Sequence, residues 1–170
     1  MKSKKYSRLI YFIGFLISAG AVLIAILLQI KDNLSPCPLC VLQRIGFLGV
    51  ALFTLIATFH GPLKRIANVI YSSLILLFAI FGGLVAIRQV FLEVYPSDAP
   101  HGCGIGIGYM FHNLPLQDFL MLMFNGTSDC AAMQWSFLGL SMAFWSIILF
   151  IILFILYFLN VLRHIISFKK

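Results

Sequence analysis

The sequence has few charged residues, and this shortage excludes an ordinary soluble domain. Only 10% of the 170 residues are charged, while 62% are hydrophobic. Soluble domains carry about 25% charged and roughly 45–50% apolar residues. Internal repeats and low-complexity tracts are also absent. The length fits a single domain over residues 1–170, and the composition is typical of a membrane protein with several spans.

Acidic residues are scarcer than basic ones, and the two kinds lie in different parts of the chain. There are 12 Lys and Arg against 5 Asp and Glu. Nine of the basic residues flank apolar runs on one side of the predicted topology: Lys2, Lys4, Lys5, Arg8, Lys64, Arg65, Arg163, Lys169 and Lys170. No Lys or Arg occurs from Glu93 to Leu162. This segregation is the positive-inside pattern of a membrane protein, and it argues against nucleic acid as a partner.

Four long apolar runs predict four transmembrane helices. They cover about residues 9–30, 41–59, 66–92 and 138–162. A cleaved signal peptide is the alternative for the first run, but that run exceeds the roughly 7–15 residues of a signal h-region. Gly82-Gly83 predicts a close helix approach in the third run. The predicted fold is an all-α bundle of four transmembrane helices, with both termini on the basic, cytoplasmic side.

A long loop, about residues 93–137, connects the third and fourth predicted helices on the extracytoplasmic side. Loops of this length in a compact protein are usually functional. Within it, apolar residues recur at helical spacing: Leu116, Phe119, Leu120, Met123 and Phe124. This segment is too short to span a membrane. We predict an amphipathic helix lying along the membrane surface, with a plain cover over the end of the bundle as the alternative.

Cysteine is scarce, and all four cysteines fall in the predicted extracytoplasmic loops: Cys37, Cys40, Cys103 and Cys130. An even number in such a location suggests disulfides. Cys37 and Cys40 have the C-x-x-C spacing of redox motifs and sit at a predicted helix start, where the helix dipole favours thiolate. Structural disulfides and a four-thiolate metal site are the alternatives that the spacing leaves open; no metal site is predicted.

Arg44 lies one helical turn after Cys40, on the same face. A cation there is costly unless it is paired or reaches the headgroups, so it indicates function. We interpret Arg44 as stabilising a thiolate at Cys40 and donating hydrogen bonds to a quinone carbonyl; snorkelling to the headgroups is the alternative. Arg88 and Gln89, near the outer end of the third helix, are weaker candidates for lining a quinone site.

Three segments together resemble the DsbB family of disulfide bond formation proteins, and the resemblance covers nearly the whole chain. They are Cys37-Pro38-Leu39-Cys40 followed by Arg44, Tyr95-Pro96-Ser97 before Cys103, and Gly126-Thr127-Ser128-Asp129-Cys130-Ala131 leading to Trp135-Ser136-Phe137-Leu138-Gly139-Leu140-Ser141-Met142. The resemblance implies a bacterial inner-membrane protein with its cysteines on the periplasmic side. It would reoxidise a DsbA-like, thioredoxin-fold dithiol oxidase and reduce a membrane quinone, either ubiquinone or menaquinone.

The resemblance also implies a role for each site residue. The implied order of electron transfer from the partner protein is Cys103, Cys130, Cys37, Cys40 and then the quinone. Arg44 would lie beside the quinone ring. The Glu/Gln–Arg pair that the family has at the quinone is here Gln43-Arg44, with the neutral residue before the arginine. The remaining alternatives are a specialised family member serving one dedicated thiol substrate and a membrane protein with purely structural disulfides.

Overall fold

The computed structural model describes residues 2–32, 36–62, 65–98, 112, 115–131 and 136–166. Its elements in chain order are α1 (Lys2–Lys31), α2 (Pro38–His60), α3 (Arg65–Val94), a 3-10 turn (Pro96–Asp98), α4 (Leu116–Asn125), α5 (Ser128–Ala131), strands β1 (Ser136–Phe137) and β2 (Leu140–Ser141), and α6 (Met142–Ile166). Among the described residues, α1, α2, α3 and α6 are long and apolar enough to cross a membrane. The predicted fold class, a bundle of four such helices, is confirmed.

The ends of α2 differ from the predicted ends for identifiable reasons. The helix begins at Pro38 rather than near residue 41, with Cys37 as the N-cap residue. Proline suits the first helical position because its missing N–H would have no partner there. The helix ends at His60 because Gly61 adopts a left-handed conformation, with φ 54°, and its N–H bonds to the carbonyl of Ala57.

The fourth long helix begins at Met142, later than the predicted residue 138, because a short hairpin precedes it. Leu138 and Gly139 form its turn with φ values of 55° and 78°. Positive φ at both turn residues suits the twist of a two-residue hairpin. The paired residues are Ser136 with Ser141 and Phe137 with Leu140. The Ser141 hydroxyl then accepts the N–H of Phe144 at 3.3 Å, which satisfies a free donor at the start of α6.

Glycine allows α2, α3 and α6 to pack closely at the centre of the bundle. A Cβ on Gly46 would lie 2.9 Å from the Cα of Gly82, and a Cβ on Gly82 would lie 2.2 Å from the ring of Phe150. The Phe150 ring in turn stacks on that of Phe47, with centroids 4.0 Å apart. The close helix approach predicted from Gly82-Gly83 is therefore present, and Gly82 is the residue that makes it possible.

Replacing Gly82 with Ala is expected to destabilise the bundle by about 1–3 kcal/mol, because the new methyl group overpacks the Phe150 contact. Thermal unfolding in detergent, followed by tryptophan fluorescence, measures the effect. Gly83→Ala is the matched control, since a Cβ there would sit at an ordinary 3.6 Å from Phe150. Equal melting temperatures for the two variants would contradict the packing described.

A buried polar network joins three helices at the end of the bundle away from the cysteines. The side-chain oxygen of Asn68 accepts hydrogen bonds from the Tyr11 hydroxyl and from Asn160, the latter at 3.1 Å. Ser72 contacts both Tyr11 and Asn160, at 3.0 and 3.1 Å. Tyr11 also stacks on Tyr157, so α1 and α6 meet at this end. Mutual hydrogen bonding makes the burial of these polar groups tolerable.

Candidate functional site

Cys37 and Cys40 lie together at the start of α2, and both are free thiols. The Cys37 thiol donates to the sulfur of Cys40 at 3.1 Å. The Cys37 sulfur also accepts the N–H of Cys40 at 3.3 Å, which is its role as the helix N-cap. One of the otherwise unpaired backbone donors of the helix start therefore has a partner in the Cys37 sulfur.

Cys130 reaches the same place from the long loop. After α4, Gly126 turns the chain with φ 82°, and a Cβ on it would lie 2.8 Å from side-chain atoms of Leu39 and Leu92. This close approach puts α5 against the start of α2. Cys130 is buried there, and its sulfur accepts hydrogen bonds from the Cys37 thiol and from the backbone of Leu39 and Thr127. Three sulfurs thus meet, with Cys37 in the middle.

The contacts among the sulfurs separate their acidities. The pKa of Cys37 is raised, first because its single S–H can donate to the sulfur of Cys130 or to that of Cys40, and then because it is buried. The pKa of Cys130 is lowered to about 7, chiefly by the hydrogen bond from Cys37, although burial opposes this. Cys37 therefore keeps its proton while Cys130 is the readier thiolate, and the thiolate is the form that attacks disulfides.

Alkylation of Cys130 in the reduced protein is expected to rise with pH through a midpoint near 7. Below that pH the sulfur carries a proton and reacts slowly; above it the thiolate dominates. Mass spectrometry after short pulses of iodoacetamide gives the rate for each cysteine. Thr127→Val removes a hydroxyl 4.0 Å from the sulfur and is expected to move the midpoint upward. A wild-type midpoint near the ordinary cysteine value of about 8.5 would contradict the assignment.

Two buried glutamines lie beside Cys40. The side-chain NH2 of Gln43 donates to the side-chain oxygen of Gln89 at 2.7 Å. The Cys40 thiol donates to the same oxygen at 3.5 Å. On its other side Gln89 bonds to the carboxylate of Glu93. The structure thus places Gln43 and Gln89 beside Cys40, with Glu93 on the other side of Gln89. Gln43 lines the cavity described below, and Gln89 does not.

Arg44 lies half-buried one turn after Cys40 and is held by α1. Its guanidinium donates to the side-chain oxygen of Gln29 at 2.6 Å and to the backbone oxygen of Ala25 at 3.4 Å. Both acceptors are neutral. Along the part of the chain that the structure describes, these hydrogen bonds position the cation without neutralising it, so its charge remains available to an anion nearby.

A cavity of about 470 Å³ separates α1 from α6 at the cysteine end of the bundle, with α2 behind it. Its lining residues are Ala21, Val22, Ile24, Ala25 and Leu28 of α1, Cys40, Gln43, Arg44 and Phe47 of α2, Phe137 of β1, and Met142, Ala143, Trp145, Ser146 and Leu149 of α6. The indole N–H of Trp145 donates to the Phe137 carbonyl at 3.3 Å. Most of the lining is apolar, and the polar groups of α2 occupy one wall.

Arg88 and Cys103 are the remaining predicted site residues. The guanidinium carbon of Arg88 is 5.6 Å from the centre of the Phe91 ring, and Arg88 does not line the cavity. Cys103 falls outside the described residues. Gln29 and Glu93 are site residues that were not predicted from the sequence. A signal for each was present: Gln29 interrupts the first apolar run, and Glu93 is the one acid in the third predicted helix and its flank.

Four long apolar helices with a cluster of thiols at one end define a multi-pass membrane protein built for disulfide chemistry. A profile described as "Disulfide bond formation protein DsbB" matches residues 7–160. The chain belongs to the DsbB family.

Curated relatives of similar length agree with this assignment. Disulfide bond formation protein B of Aromatoleum aromaticum is 40% identical over 149 residues, covering 87% of this chain and 89% of that one. The protein of the same name from Marinobacter nauticus is 40% identical over 158 residues, covering 93% and 94%. The one from Methylococcus capsulatus is 41% identical, covering 85% and 88%. No solved structure matches the chain.

Proposed function

We propose that this membrane disulfide bond formation protein oxidises a periplasmic, thioredoxin-fold dithiol oxidase resembling DsbA and passes the electrons to a membrane quinone. The observation that carries the proposal is the position of Cys37, whose thiol contacts Cys130 on one side and Cys40 on the other. Cys40 in turn lines the cavity together with Arg44. The loop cysteine, the helix pair and the cavity therefore form one continuous path.

The charge distribution supports a periplasmic location for the cysteine end. Basic residues lie in the first two turns of α1, at and just before the start of α3, and after Leu162, so the basic helix ends are those away from the cysteines. Cytoplasmic ends of membrane helices carry this excess of Lys and Arg. The proposed location is a bacterial inner membrane, with both termini in the cytoplasm and α4 along the outer membrane surface. The apolar side chains of α4 that remain exposed include Leu116, Leu120, Met121 and Phe124.

Thiol–disulfide exchange accounts for the transfer from the partner to the helix pair. A partner thiolate attacks the Cys103–Cys130 disulfide at Cys103, and the partner's second thiolate then closes its own disulfide, which leaves Cys103 and Cys130 reduced. The Cys130 thiolate next attacks Cys37 in the Cys37–Cys40 disulfide, and Cys40 leaves as a thiolate. Cys103 then attacks Cys130, which restores the Cys103–Cys130 disulfide and leaves Cys37 reduced. Each step exchanges one S–S bond for another, so two electrons move and none are lost.

The cavity suits a quinone in size and chemistry. Sites for small molecules are mostly apolar clefts of about 300–1,000 Å³ with a few placed polar groups. This cavity has an apolar lining and places Cys40, Gln43 and Arg44 on one wall. Ile24 both lines it and is exposed on the outer surface of the bundle, which points to an opening toward lipid. A bound quinone would supply a two-electron acceptor; Gln43 and Arg44 would hold its oxygen atoms.

Arg44 has a second part in this scheme. A fixed cation stabilises negative charge that develops nearby, and it does so without reorganising during the reaction. Gln29 and Ala25 hold the guanidinium in place, while Cys40 and Cys37 supply the two electrons and close their disulfide. The proton of Cys37 is released as that disulfide forms.

Purified protein in lipid nanodiscs, mixed with a quinone and a reduced thioredoxin-fold dithiol, tests the proposal. Loss of quinone absorbance and oxidation of the dithiol are expected to proceed at equal molar rates over many turnovers. A dithiol protein with one cysteine replaced by serine is the control and is expected to form only a mixed disulfide. No quinone reduction by a folded protein, with either ubiquinone or menaquinone, would refute the proposal.

A further inference from the structure

Glu93 lies close to the Cys40 site but has no part in the exchange steps above. It is half-buried in the last turn of α3, and its carboxylate accepts hydrogen bonds from the side chains of Gln89 and Ser141. Ser141 is itself buried and accepts the N–H of Phe144. Glu93 therefore connects the glutamine beside Cys40 with the chain that leads into α6.

The hydrogen bonds of Gln89 determine which way its amide faces. Its oxygen accepts from the NH2 of Gln43 and from the thiol of Cys40, so its own NH2 is the end that faces Glu93. A carboxylate can only accept hydrogen bonds. If the amide turned over while Glu93 was ionised, two oxygens would face each other without a proton between them, and this arrangement is repulsive.

We propose that Glu93 is a positioning residue that controls, through the Gln89 amide, whether Cys40 keeps its proton. While Glu93 is ionised, Gln89 presents an oxygen to Cys40 and favours the thiol, because only the thiol can donate. When Glu93 takes up a proton, the amides of Gln89 and Gln43 turn over, and the NH2 of Gln89 then donates to a Cys40 thiolate. Formation of the reactive Cys40 thiolate would thus be coupled to the charge of Glu93 in the last turn of α3.

The exchange balances without an external reactant. Cys40 loses one proton, Glu93 gains one, the two groups together keep a single negative charge, and no electrons move. An amide does not pass protons readily, so the proton travels by way of water, which reaches the half-buried Glu93 beside exposed Val94 and Tyr95.

The charged or titratable groups on elements packed against this end of α3 are Cys37, Cys40 and Arg44 of α2 and its cap, Asp129 and Cys130 of α5, and Asp98 of the 3-10 turn.

Site-resolved alkylation of the fully reduced protein tests this coupling without quinone or partner. At pH 7, Glu93→Gln is expected to raise the alkylation rate of Cys40 about tenfold, the effect of roughly one hydrogen bond to a charged group. The alkylation rate of Cys130 is expected to change less than about twofold, because its contacts do not include Gln89. Asp118→Asn, which removes a charge from an exposed residue of α4, is the matched control and is expected to leave the Cys40 rate unchanged.

Two further variants separate the contact from the charge. Glu93→Asp keeps the charge but withdraws the carboxylate from Gln89, and is expected to give part of the gain at Cys40. In a Gln89→Leu background, Glu93→Gln is expected to give no further gain, because the linking amide is gone. An unchanged Cys40 rate in both folded Glu93 variants, or an undiminished gain in the Gln89→Leu background, would overturn the inference. The inference rests on the proposed function for its purpose, but this assay contains no quinone or partner; normal turnover with unchanged alkylation would therefore defeat the Glu93 inference alone.

Discussion

Replacing Cys40 with Ser is expected to lower steady-state quinone reduction by about a thousandfold or more, the scale on which loss of a reacting nucleophile acts. Cys40 is the one described cysteine that lines the cavity between α1 and α6. Serine is close to cysteine in shape, but it cannot form the disulfide with Cys37 or carry a thiolate at neutral pH. Quinone absorbance with excess reduced dithiol measures the rate.

The same variant provides its own control, because the first exchange with the partner does not use Cys40. A single turnover with the Cys40→Ser protein is expected to oxidise about one partner molecule per protein and then stop. Ser146→Ala, at another lining position of the cavity, is expected to keep most of the turnover. Full turnover by Cys40→Ser would show that the C-x-x-C pair does not lie on the path of the electrons. A lower yield of protein with an unchanged rate per molecule would show the same.

The helices could be predicted from the sequence because each span is recorded locally, in a run of apolar residues longer than the membrane is thick. Their ends could be predicted less well. The start of α6 depends on Leu138, an apolar residue that continues the helical pattern but adopts φ 55° in the hairpin turn. Apolar periodicity cannot distinguish such a residue from the first turn of a helix. The start of α2 at Pro38 could have been predicted, because proline is favoured at the first position of a helix.

The site was predictable where its residues are close in sequence and not where they meet only through packing. Cys37, Cys40 and Arg44 lie within two turns of one helix, so their shared face follows from spacing. The contact between Cys130 and Cys37 depends on Gly126 fitting against Leu39 and Leu92, which no local pattern records. Arg88 and Gln89 illustrate the same limit: adjacent residues on α3 point in different directions, one toward Phe91 and the other toward Cys40.

Arg44 is expected to affect the quinone half of the reaction and leave the thiol half intact. Arg44→Gln removes the cation from the cavity wall but keeps a hydrogen-bonding side chain. Its turnover with saturating dithiol is expected to fall about a hundredfold, the lower range for removing one preorganised donor, and its KM for quinone is expected to rise. Initial rates over a range of quinone concentrations separate kcat from KM, while a single turnover without quinone reports the partner exchange.

The hydrogen bond between Arg44 and Gln29 offers a matched comparison, because its removal changes the position of the guanidinium and not its charge. Gln29→Leu removes the 2.6 Å hydrogen bond but keeps the guanidinium. It is therefore expected to raise KM with a much smaller loss in kcat, since a displaced cation still acts over a few ångströms. Arg44→Lys is expected to recover only part of the rate, because an ammonium cannot hold Gln29 and the Ala25 carbonyl with the same planar fork. If Arg44→Gln keeps the wild-type kcat and KM, the Arg44 cation takes no part in quinone reduction, and the guanidinium serves only to reach the lipid headgroups.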